Sequence, residues 1–136
     1  MKKLLVSTFV IAIIGILGFS MYNNITHEEL FYENTNFNKI PQLIKSKEKV
    51  IVFVVQDGYS ICKLVEPIVN EYAKNNQGVV YSITENKEKD FSTQSVKYNI
   101  ENTPTMIYYQ NGREIYRTNS GFTEDEFKQT IKKVDF

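Results

Sequence analysis

The sequence predicts one layered α/β domain, residues 38–136, behind an N-terminal apolar segment. Three observations predict it. Val50–Val55 reads VIVFVV, an unbroken run rich in β-branched residues, the mark of a strand covered on both faces. Helical and strand patterns alternate along the chain, as expected where helices pack on a sheet. Asn111-Gly112 stands between two strand-like segments, a strong short hairpin signal.

The elements follow in order. Lys2 and Lys3 precede Leu4–Met21, which carries no charge and is mostly Leu, Ile, Val and Phe. At 18 residues it reaches the short end of what spans a hydrocarbon core. The two lysines favour an N-terminus left in the cytoplasm and a domain outside. Residues 1–21 therefore read as a transmembrane anchor. The alternative is a cleaved signal peptide, for which Gly18-Phe19-Ser20 offers a small-x-small site and no Ala-x-Ala. In both cases the domain lies beyond the cytoplasmic membrane, tethered in the first and secreted in the second.

Residues 22–37 are polar and Asn-rich and read as a juxtamembrane linker, with a capping-box pattern at Thr26–Glu29. Asn38–Lys47 places Ile40, Leu43 and Ile44 at helical spacing, with Pro41 fitting its first turn. After the Val50–Val55 strand and a loop at Gln56–Tyr59, Ser60–Asn75 reads as a helix. Its apolar face is Val65, Ile68, Val69 and Tyr72, and Pro67 should kink it. Val79–Ile83 is a second strand, Glu85–Asp90 a charged loop, and Phe91–Tyr98 a short helix. Thr105–Tyr109 and Glu114–Thr118 flank the Asn-Gly turn. Thr123–Glu126 opens the last helix as a capping box, and Phe127, Ile131 and Val134 supply its apolar face.

Composition removes several function classes. Apart from Lys2 and Lys3, 14 basic residues face 16 acidic ones, without the concentrated basic face that nucleic acid requires. One cysteine, Cys62, and one histidine, His27, exclude an intramolecular disulfide and a zinc site built by one chain. No glycine-rich phosphate loop precedes a helix, so neither a cofactor nor a metal is expected. One arrangement has chemical content: strand, loop, cysteine, helix. Cys62 lies in the first turn of its helix, where unpaired N–H groups and the helix dipole favour a thiolate, and Lys63 adds a positive neighbour.

Here the chain resembles the thioredoxin family. The family's strand, then Trp-Cys-Gly-Pro-Cys-Lys, then a proline five residues after the second cysteine, is similar to Val52–Lys63 followed by Pro67. Its Tyr-x-Ile-x-x-x-Pro-Thr looks like Tyr98–Thr105, and Asn111-Gly112 and Gly121 match the later hairpin and glycine. The likeness covers residues 47–136. The short preceding segment is also similar to that of the bacteriocin-transport accessory branch. The resemblance implies a three-layer sandwich, a central mixed sheet with helices on both faces. It implies a cis Pro104, with the Thr103 backbone presented to extended peptide beside the cysteine helix.

The departures bear on activity. The family's exposed nucleophilic cysteine falls on Tyr59, its tryptophan on Gly58, and its Gly-Pro pair on Ser60-Ile61. Its buried aspartate falls on Phe53, and Cys62 matches the shielded resolving cysteine. A two-electron dithiol cycle within one chain is therefore impossible, and any exchange is of monothiol type. Cys62 reads as a buried remnant, as a lone thiol forming mixed disulfides, or as part of an intermolecular disulfide dimer or a metal cluster shared between molecules. Tyr59 reads as a loop aromatic or as a contact in a peptide groove. The expected function is thiol–disulfide metabolism outside the cytoplasm with Cys62 as the redox thiol and Tyr59, Thr103 and Pro104 as substrate contacts. The alternative is a non-catalytic binding module for an exported protein or peptide, docking by strand addition.

Overall fold

The computed structural model describes residues 13–16 and 29–136. The chain divides into two units, Met1–Leu30 and Phe31–Phe136. In the first, 13–16 form a helical turn. The rest of the expected anchor and most of the capping box at Thr26–Glu29 lie outside the described residues. Among the described residues no helix is long and apolar enough to cross a membrane.

The second unit is built on a five-stranded mixed sheet in the order β1-β3-β2-β4-β5. The strands are β1 (Glu33–Asn34), β2 (Lys49–Val55), β3 (Val80–Thr84), β4 (Thr105–Gln110) and β5 (Arg113–Thr118). β1, β3 and β2 run parallel, and β4 and β5 complete the sheet antiparallel. The apolar run thus becomes the central strand, with a neighbour on each edge. Successive residues of a strand point to opposite faces. Ile51, Phe53 and Val55 therefore enter one core layer, and Val50, Val52 and Val54 the other.

Four helices cover the two faces: α1 (Ile40–Ser46), α2 (Ser60–Asn75), α3 (Phe91–Lys97) and α4 (Glu124–Val134). α2 and α4 pack on the Phe53 side, and α1 and α3 lie on the Val52 side. Cys62, Val65, Val69 and Ala73 form the buried stripe of α2, while Ile68 and Tyr72 are half-buried at its margin. The rings of Tyr72 and Phe127 meet edge to face at 5.5 Å and tie α2 to α4. Pro67 is accommodated inside α2 on its exposed side. Both residues of the hairpin turn take positive φ, 50° at Asn111 and 78° at Gly112, which suits the right-handed twist of the paired strands. The capping box of α4 forms in both directions between Thr123 and Glu126.

One boundary differs from the expectation. The linker was expected to run to Phe37, yet the domain unit begins at Phe31. The Phe31 amide donates to Asn70 Oδ1 at 2.7 Å, and Tyr32, 7% exposed, sets its ring edge-on to Phe53 at 6.0 Å. β1 then pairs with β3, and the buried Phe37 stacks on Tyr98 at 5.1 Å. Each buried aromatic contributes about 1.5–3 kcal/mol of apolar burial, enough to order a short strap. A two-residue strand has no detectable periodicity, so polar neighbours masked the strap in the sequence.

Candidate functional site

β2 and β3 end together, with Val55 paired to Thr84, so the loops that follow them share one edge of the sheet. The loop after β2 turns sharply at Gly58, whose φ of 80° favours glycine, and Tyr59 N–H donates to Gln56 O at 3.2 Å. Tyr59 is the N-cap of α2 and is 38% exposed. Cys62 follows in the first turn with no exposed surface.

Two loops adjoin the thiol. The Gln56 amide donates to Cys62 Sγ at 3.5 Å, and the Thr103 side chain lies within electrostatic reach of the same sulfur. The Thr103–Pro104 peptide is cis, and Pro104 is buried. The structure thus brings Cys62 and Thr103-Pro104 together across 41 residues of sequence. Tyr59 and Thr103 line a shared groove of about 280 Å³.

The electrostatics differ from the sequence expectation. Burial pushes the Cys62 thiol above its ordinary value. The Gln56 hydrogen bond and the nearby Thr103 side chain pull the other way but do not prevail, and the carboxylates of Glu66 and Glu85 add to the rise. Helix position alone favours a thiolate. Removing the sulfur from water disfavours it more. Phe53, fully buried against Tyr32, supplies no proton acceptor beneath it.

Two flanks of the site were not singled out by the sequence. On one side, Ile61 is 38% and Leu64 73% exposed. Ile61 packs so closely on Gly121 that a Cβ there would fall 2.6 Å from Ile61 Cγ2. On the other side, Glu85 and Glu101 line the groove beside Tyr59 and Thr103. The rule that loops following parallel strands converge would have found Glu85, which comes directly after β3. Among the described residues no group of three or more His, Cys, Asp or Glu could hold a metal ion.

Residues 37–135 match the family described as Thioredoxin-like domain. The chain belongs to that family. A thioredoxin of Mycoplasmoides gallisepticum is 24% identical over 99 residues, covering 72% of this chain and 96% of that protein. A thioredoxin H-type of Oryza sativa subsp. indica is 31% identical over 98 residues, covering 68% and 75%. The fold matches Chlamydomonas reinhardtii thioredoxin f2 with a TM-score of 0.65 at 15% identity, over 76% of this chain and 95% of that one. It matches Plasmodium falciparum thioredoxin with a TM-score of 0.64 at 23% identity, over 74% and 97%.

Proposed function

We propose that this is a membrane-tethered, extracytoplasmic thioredoxin-like protein of thiol–disulfide metabolism that works with one cysteine. Tyr-Ser-Ile-Cys at Tyr59–Cys62 stands where the family resemblance has Cys-x-x-Cys. The observation that carries the reading is the closeness of the Cys62 thiol to Thr103, ahead of a cis proline and beside an open groove. A polypeptide laid along Thr103 brings its own sulfur to Cys62. Loss of the thiol proton to solvent gives a thiolate that attacks a partner disulfide. One sulfur–sulfur bond forms to Cys62 and one breaks, releasing a partner thiolate. A second thiol of the partner, or a small thiol, then attacks the mixed disulfide and frees Cys62. The number of disulfides is conserved: with the partner's own thiol the outcome is disulfide rearrangement, and with a small thiol one partner sulfur ends reduced while the other carries the small thiol as a mixed disulfide. Because Sγ has no exposed surface, the turn at Gln56–Ser60 must move aside first.

A second reading is a non-catalytic binding module for an exported peptide. The contrast between a fully buried Cys62 and the exposed Tyr59, Ile61 and Leu64 favours it. The two separate on recovery of scrambled ribonuclease in a glutathione buffer by the full chain in neutral detergent. The thiol reading expects acceleration by the wild type and none by Cys62→Ser. Equal rates for the two proteins would leave the binding module.

A further inference from the structure

The groove beside Tyr59 carries acidic charge that no ion pair among the described residues engages. Its lining holds the carboxylates of Glu85 and Glu101 and no lysine or arginine. The ion pairs among the described residues lie elsewhere, Glu114 with Arg117 and Glu124 with Lys128. Arg117 is at longer range from Glu101 and is already engaged. It binds both Glu114 oxygens, at 2.6 and 2.7 Å, and the carbonyls of Tyr98 and Asn99. Toward β5, on the side of the Thr103 loop away from β3, two apolar side chains, Ile61 and Leu64, stand exposed on α2, with Gly121 against Ile61. Between the flanks lies Thr103, whose backbone falls outside the sheet, since β4 pairing begins at Thr105 opposite Val54.

We infer that the groove takes an extended segment in which apolar and basic residues alternate. The inference rests on the groove being a peptide site. An extended chain sends successive side chains to opposite sides. A strand lying along Thr103 would therefore set one row against Ile61 and Leu64 and the other against Glu85 and Glu101. Apolar residues suit the first flank and lysine or arginine the second. Opposite charge placed this way gives register and partner choice, and speeds encounter at low salt. An acidic segment would be repelled.

Fluorescence anisotropy with the full chain in neutral detergent tests this. The probes are three dye-labelled, cysteine-free peptides that alternate valine and threonine with lysine, glutamine or glutamate. Two exposed ion pairs should make the lysine peptide bind about fivefold tighter than the glutamine peptide at low salt. The advantage should vanish near 0.5 M salt, where screening is short-ranged. It should also vanish in Glu85→Gln/Glu101→Gln, and Glu85→Lys/Glu101→Lys should prefer the glutamate peptide. Tyr59→Ala should weaken all three peptides alike. Equal binding of the lysine and glutamine peptides, or a lysine preference that survives Glu85→Gln/Glu101→Gln, overturns the inference and leaves the groove. Binding of no peptide, or binding untouched by Tyr59→Ala, removes the groove reading and the inference together.

Discussion

Alkylation of Cys62 tests the buried-thiol geometry directly. At pH 7.5 a thiol of ordinary acidity is about one-tenth thiolate. Burial raises the Cys62 thiol above its ordinary value and makes it a weaker acid, so its reactive fraction is smaller. The reagent must also reach a sulfur with no exposed surface. Access requires parting the Gln56 amide from Sγ and the Tyr59 amide from Gln56 O. At about 1 kcal/mol each, those two bonds correspond to a roughly 30-fold opening penalty. The folded protein should therefore react at least roughly 30-fold more slowly than the unfolded chain. The assay is mass-spectrometric counting of iodoacetamide adducts against time, from pH 6 to 10, with and without urea. The apparent midpoint should lie above the ordinary value of about 8.5. A folded rate within threefold of the unfolded rate, or a midpoint below the ordinary value, would refute the reasoning.

Other expectations follow from the same contacts. The thiol's folded value lies above its unfolded one, so its contribution to stability is complete below the unfolded value and fades as pH rises through the folded one. Urea melts should show Cys62→Ala losing less stability than wild type over that alkaline range; Tyr109, raised by burial to about 12, adds a loss common to both proteins from its ordinary value of about 10 upward. Tyr32→Ala removes a 7%-exposed ring from Phe53 and should cost about 3 kcal/mol in chemical denaturation, whereas a true linker residue would cost nothing measurable. Gly121→Ala should destabilise by about 1–3 kcal/mol through its clash with Ile61, and adding Ile61→Ala should recover most of that in a thermal melt. Tyr59→Cys places a second sulfur at the exposed N-cap of α2 and should give measurable insulin-disulfide reduction; a folded variant without that activity would show that the loop no longer presents its N-cap residue to substrate.

The extent to which each feature was legible in the sequence follows from how local its cause is. The central strand announced itself because a strand flanked on both edges and covered on both faces has no polar position, and Val50–Val55 has none. The Asn111-Gly112 turn and the Thr123–Glu126 box are bonding patterns closed within four residues, so residue type and spacing suffice. Cys62 could be placed in the first turn of a helix for the same reason. Its acidity could not be read there. The helix dipole is local, but the desolvation that outweighs it comes from burial in the core layer with Phe53 and Val55.

Tertiary structure alone decided the rest. Phe31–Phe37 reads as a polar linker until Asn70, Phe53, β3 and Tyr98 stand beside it, because its partners lie 21 to 61 residues away along the chain. Glu85 and Glu101 read as unrelated surface charges until the loops after β3 and before β4 converge on Tyr59. By itself the sequence determined which segments are strands and helices, that one thiol exists, and that no disulfide can form within the chain. Packing determined that this thiol is dry and which residues surround it. Secondary structure is chosen by side chains a few positions apart, whereas a site is assembled by the ends of elements that meet only when the sheet is complete.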